Sequence, residues 1–269
     1  MIHTKQLEHL VKLAILSAYV EGERPVSLLI SARVESGKTE IVRKSISVNK
    51  ILYLSDVTAY GLQKEYLDDL CNGKYRTIVI PDLITPLSRS PFTVDTFIAF
   101  LNGLIEEGVA RIATYAMQIE LTKPVRCNII TCIAKEHLEG AHYRWSKVGF
   151  LSRVIPVSYS YSPSTVQKIL NSVISGDYHD EPMYSLRLPK EDKDIGLPVR
   201  IGEQVVQLTL AMVAGSRKAG EVYGFRLEKQ LITLCKASAL FRGRDCVDEV
   251  DFDIISALSG FINLDYKQI

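Results

Sequence analysis

A continuous apolar run of strand length, SLLISA at 27–32, leads into RVESGKT and then into a helical pattern, TEIVRKSIS. No other feature narrows the fold as much. The pattern G-x-x-x-x-G-K-[ST] cradles phosphates when a strand precedes it and a helix follows, and both flanks are present. Ala32 stands at the first glycine position, Arg33, Val34, Glu35 and Ser36 fill the variable places, and Gly37, Lys38 and Thr39 close the pattern. Loop N–H groups and the start of the following helix give phosphate oxygens a positive potential. Lys38 is placed to reach β- and γ-phosphates, and the Thr39 hydroxyl to ligate Mg²⁺. The methyl of Ala32 is tolerable where φ stays negative. The competing reading is a Gly-Lys-Thr that falls by chance at a strand–helix junction.

The rest of the chain alternates strand with helix. KILYLSD (50–56), RTIVIPD (76–82), VRCNIITCIA (125–134) and FLSRVIPVSYS (150–160) are apolar on both faces, as parallel strands are. Helical spacing predicts helices over 4–21, over GLQKEYLDDLCNGK and over 93–108, and ARIATYAMQIELT alternates like a hairpin. This order predicts an α/β sheet wound in parallel. The segment 176–200 is rich in charge, Pro and Gly, and after Gly202 the pattern is purely helical. The expected division is an α/β domain over 1–160, a connecting segment over 161–200 and a small all-helical domain over 201–269.

Lys+Arg at 32 against Asp+Glu at 31 leaves no long-range field toward nucleic acid, so DNA contact would need a local basic patch. Five scattered cysteines form no CxxC pair, which argues against zinc and disulfides and for a reducing, cytoplasmic setting. The N-terminal apolar run is too short and too interrupted by charge for a membrane span, and an amphipathic helix is expected there.

A magnesium-organising acid should end a second buried strand. TIVIPD supplies Asp82, with Leu83 where a water-polarising glutamate would stand. An alternative register puts Pro81 at the aspartate position and Asp82 at the glutamate position, and in a third reading Asp82 only starts a turn. No Asn-Lys-x-Asp guanine reader follows a later strand, so ATP is expected over GTP.

With these pieces in place, the chain resembles the AAA+ ATPases of the branch containing the minichromosome-maintenance helicases and magnesium chelatase. DVTAYGL (56–62) is similar to the segment after the second strand, and LNGLIEEGVARIATYAMQIELTKPVRCNIITCIA to the helix, presensor hairpin and sensor-1 strand. GFLSRVI (149–155) resembles the Leu-Ser-Arg-Phe segment, and FRLEKQLITLCKASALFRGRDCVDEVDFDIISAL (225–258) the helical lid. The resemblance implies a P-loop NTPase parallel sheet with helices on both faces, then a small helical lid, binding ATP with Mg²⁺. It implies that Arg153 is an arginine finger acting on a neighbouring subunit, and that Arg226 is a sensor-2 arginine reaching the nucleotide of its own subunit. Thr131 and Ala134 fall near sensor 1; a buried strand threonine is the other reading of Thr131, and surface arginines the other reading of Arg153 and Arg226. A homo-oligomeric ring is implied, a hexamer being one such ring, remodelling or moving a nucleic-acid or protein partner. Thr114 and Tyr115 replace the hairpin lysine that contacts DNA in the helicases. The alternative function is a degenerate subunit that binds ATP for assembly and hydrolyses little.

Overall fold

The computed structural model describes residues 4–114, 117–175, 183–216 and 223–265. In chain order the elements are α1 (Lys5–Ser17), β1 (Leu28–Ala32), α2 (Lys38–Arg43), β2 (Ile51–Tyr53), α3 (Ala59–Cys71), β3 (Thr77–Ile80), α4 (Ile84–Leu87) and α5 (Pro91–Asn102). A single π-turn, Gly103–Glu107, prolongs α5 into the antiparallel hairpin β4 (Val109–Thr114) and β5 (Met117–Val125). Then come β6 (Asn128–Ala134), α6 (Lys135–Lys147), β7 (Ile155–Ser158), α7 (Pro163–Ile174), α8 (Val199–Gly215), α9 (Phe225–Phe241) and α10 (Glu249–Leu258). Tyr115 and the side chain of Thr114, the hairpin positions singled out by the sequence, lie outside the described residues.

Five parallel strands form one sheet in the order β2-β3-β6-β1-β7. Its strands are short and β-branched, and β1, β3 and β6 are buried at every position, as a sheet covered on both faces requires. Alternation divides the side chains between two cores. Leu29, Ile78, Ile80, Ile129 and Ile133 pack with α3, α5, Trp145 and Phe150 on one face. Leu28, Ile30, Val79, Ile130 and Cys132 pack with α1 and α2 on the other.

That second core continues without a break into the C-terminal helices. Leu227, Leu231, Leu234 and Cys235 of α9 and Ile255 and Leu258 of α10 join it through α1. The separate helical unit expected over 201–269 therefore shares its interior with the sheet. The physical cause is α1 itself. Its residues Leu7, Leu10, Val11, Leu13, Ala14, Ile15 and Leu16 are all buried, so it is apolar nearly all round and needs cover on two sides. Sheet residue Asn128 donates to the Ala14 carbonyl at 2.6 Å on one side, and α9 packs against the other. The 183–198 stretch is likewise pinned: the Tyr184 hydroxyl donates to the Ile41 carbonyl at 2.7 Å, and Ile195 is buried. No helix among the described residues is long and apolar enough to cross a membrane.

Candidate functional site: the 32–39 loop and an arginine cluster at opposite sheet edges

Parallel strands place all their C-terminal ends on one edge of the sheet, and that edge carries the loop. Ala32 ends β1 and is the partner of Ala134 at the end of β6. Among the described residues only Glu35 and Lys50 are non-glycines with positive φ, so Ala32 keeps the backbone its methyl allows. Glu35 (φ 64°) and Gly37 (φ 78°) are left-handed, and these two reversals curl the loop back on itself. Arg33, Val34 and Glu35 face solvent while Ser36 is buried. None of the N–H groups of residues 34–37 donates to a hydrogen bond among the described residues.

Lys38 opens α2, and its ammonium folds back to donate to the Arg33 carbonyl at 3.3 Å. The residue is only 8% exposed, yet it pairs with no carboxylate among the described residues. An ammonium on a largely buried side chain with one neutral partner is completed favourably by an anion. The helix it opens has six residues rather than the longer run suggested by TEIVRKSIS, because the chain turns at 44–49. Positive potential at the loop therefore rests on the free N–H groups and Lys38. Thr39 follows, half-buried in the first turn of α2.

Asp82 follows β3 on the same edge. Its carboxylate accepts the Ile84 N–H at 2.9 Å and so starts α4. Cys132 ties this turn to the loop: its carbonyl accepts the Leu83 N–H at 2.9 Å, and its thiol donates to the Lys38 carbonyl at 3.4 Å. Burial holds that thiol protonated, pushing its pKa far up. Leu83, the residue after Asp82, is fully buried among the α5-face residues, so that position supplies no carboxylate. The donors offered to a magnesium ion are thus the Thr39 hydroxyl and the Asp82 carboxylate; no cluster of three His, Cys, Asp or Glu exists among the described residues. Hard oxygen donors completed by phosphate and water suit Mg²⁺, so the residues fit the ion.

Thr131 does not belong to this edge. It sits mid-strand, paired with Leu29 and Ile80, fully buried, and its hydroxyl has no partner among the described residues. Strand alternation turns it away from the face on which Cys132 meets Lys38. The burial of Thr131 agrees with the other reading of this position, a buried strand threonine.

The opposite edge carries the arginines. Ile155 of β7 is level with Leu28 at the start of β1, so Arg153 lies beyond the N-terminal end of the sheet. At about 3.3 Å per residue, the five residues of β1 put it some 16 Å or more along the strand direction from the loop. There the π-turn presents Glu106, whose carboxylate forms an ion pair with Arg153 at 2.6 Å and accepts hydrogen bonds from Arg24 at 2.8 Å and Arg226 at 3.0 Å. Arg153 also donates to the Gly149 carbonyl at 2.8 Å, and Arg226 to the Ser152 hydroxyl at 2.9 Å. Burial pushes the Glu106 pKa up, but Arg226, Arg153 and Arg24 together outweigh it and hold the carboxyl below its ordinary value. These residues line a cavity of about 450 Å³ that also takes in Lys229, Lys236 and Glu23.

Arg226 is therefore not at the loop of its own chain, where the sequence placed it. It shares one carboxylate with Arg153, and none of its contacts is to residues 32–39. Glu106, Arg24, Tyr159 and Tyr161 went unnoticed in the sequence. The adjacent acids of LIEEG, closing an apolar helix, were the only local signal for the first.

No protein-family model matches the chain, and no curated protein matches it in sequence.

Proposed function

We propose that this chain binds ATP with Mg²⁺ at the loop Ala32–Thr39 and assembles head to tail, so that Arg153 and Arg226 of one copy face the nucleotide held by the next. The observation that carries the reading is Lys38, a largely buried lysine whose ammonium has, among the described residues, only a backbone carbonyl as partner, beside four loop N–H groups that donate to none of them. A di- or triphosphate supplies the anion such a cradle lacks. The bound ion would neutralise charge on the β- and γ-phosphates, held through Thr39 and, directly or through water, Asp82.

Two different patches at opposite edges of one sheet favour a heterologous contact, which closes into a ring when the rotation allows. An arginine too far from its own loop can act only on another subunit's phosphate, and a guanidinium there contributes roughly a thousandfold or more to phosphoryl transfer. In this reading the chain is an AAA+-like ATPase that remodels or moves a protein or nucleic-acid partner. One observation favours a second reading, an ATP-holding subunit with little turnover: Leu83, buried, stands where a water-polarising glutamate would follow Asp82.

Mixing separates the two. Arg153→Ala and Lys38→Ala proteins should each be nearly inactive, and a mixed oligomer should regain part of the ATPase activity, because some interfaces then hold an intact loop and an intact arginine. Measurable wild-type turnover with no recovery in a confirmed mixed oligomer would remove Arg153 from the reaction. A wild type that binds ATP and assembles without turnover supports the second reading.

A further inference from the structure

Ser36 accepts two hydrogen bonds at its backbone carbonyl, one from the Tyr159 hydroxyl at 2.9 Å and one from the Tyr161 hydroxyl at 2.8 Å. The two rings meet edge to face, with centroids 5.7 Å apart. Tyr159 directly follows β7, whose Ser158 is level with Ser31 of β1, so the pair rises from the strand next to the one that carries the loop. A buried carbonyl is satisfied by one donor. Here both of its lone pairs are used, by two large side chains two residues apart.

We propose that Tyr159 and Tyr161 are positioning residues of the phosphate loop: together they fix the Ser36–Gly37 peptide so that the Gly37 N–H points at the phosphate. The inference rests on the nucleotide reading of the loop. Peptide planes among the described residues are trans, so the Gly37 N–H points opposite to the Ser36 carbonyl. Anchoring the carbonyl on the tyrosines therefore directs the N–H away from them, toward the open side of the loop.

The anchor is needed because the next residue is a glycine. Gly37 has φ 78°, and glycine populates either sign of φ at little cost. A peptide ahead of a glycine can turn over, exchanging an N–H for a carbonyl oxygen in the cradle. A carbonyl facing a phosphate repels it. Two phenol hydroxyls hold the orientation before any nucleotide arrives, so that binding does not have to select it. Ser36 itself contributes its backbone here; its own hydroxyl lies 3.5 Å from the Tyr159 hydroxyl and joins the same group.

The test uses the full chain with Tyr159→Phe, Tyr161→Phe and the double variant, which keep both rings and remove only the hydroxyls. Calorimetry reads ATP affinity, thermal unfolding reads stability, and the amide resonance of Gly37 reads the peptide directly. In the wild type, ATP should move the Gly37 amide proton downfield. The double variant should bind ATP about tenfold more weakly, as expected from losing two hydrogen bonds of ordinary worth. Its Gly37 resonance should shift less than half as far on saturation, which a merely structural loss would not produce. If the double variant does not fold, Tyr161→Phe alone carries the test, with about threefold weaker binding and a reduced shift expected. A wild type that binds ATP and variants with unchanged affinity and an unchanged Gly37 shift overturn the tyrosine inference alone. A wild type that binds no ATP overturns this inference and the nucleotide reading together.

Discussion

Replacing Glu106 by glutamine keeps the shape of the side chain and removes the charge on which three arginines converge. The contacts differ in worth. Arg153 is 15% exposed and Glu106 14%, and removing the partner of a charge this sheltered costs about 1–3 kcal/mol. Arg24 and Arg226 keep 51% and 47% of their side-chain surface in water, so each adds only about 0–1 kcal/mol. The loss at pH 7 is then about 2–4 kcal/mol, a drop in Tm of roughly 4–16 °C for a chain of this size. The pH dependence derives from the lowered pKa of Glu106. A carboxyl held below its ordinary value of 4.5 stabilises the fold above that value and loses the contribution as pH falls through the folded pKa. Urea unfolding of wild type and Glu106→Gln should therefore show a constant gap from neutral pH down to about pH 5, narrowing below about pH 4.5. A variant as stable as the wild type at pH 7, or a gap that persists unchanged into acid, would refute the assignment of Glu106 as the anionic centre of the cluster.

Two further perturbations probe the same frame. Lys44 and Glu8 form a nearly buried pair at 2.9 Å between α1 and the turn after α2; Glu8→Ala should cost about 3–5 kcal/mol in urea unfolding, and the double change Glu8→Leu with Lys44→Met should recover most of it. At Gly149 (φ 72°) a methyl would overlap the Arg153 guanidinium, so Gly149→Ala should cost roughly 1–2 kcal/mol of stability and lower ATP turnover while leaving ATP affinity unchanged.

The elements the sequence disclosed are those whose pattern is local and driven by burial. SLLISA, TIVIPD and NIITCIA are read as buried strands because most positions are apolar or β-branched, and the GKT junction is legible because it falls between such a strand and a helical pattern. Two helices escaped notice for opposite reasons. KEHLEGAHYRWSK in α6 buries only Leu138 and Trp145, too few to set a period. In α7 only Thr165 is buried, and the apolar stripe of Val166, Leu170, Val173 and Ile174 faces outward. The width of the apolar surface on α1 was visible, but the reason for it, contact with sheet and α9 at once, is a long-range property. The same holds for the candidate site. The loop could be read from the sequence; the convergence of Arg24, Arg153 and Arg226 on Glu106 joins side chains up to 120 positions apart and has no local signature.

The most direct test of the account is calorimetric titration of the wild type and of Lys38→Ala with ATP in the presence of Mg²⁺. If the ammonium of Lys38 is completed by phosphate, the wild type binds and the variant binds well over tenfold more weakly, a difference above about 1.4 kcal/mol, with an unchanged thermal transition showing that the fold is intact. Equal affinities, or a wild type that takes up no ATP at all, would contradict the assignment of residues 32–39 as a nucleotide site.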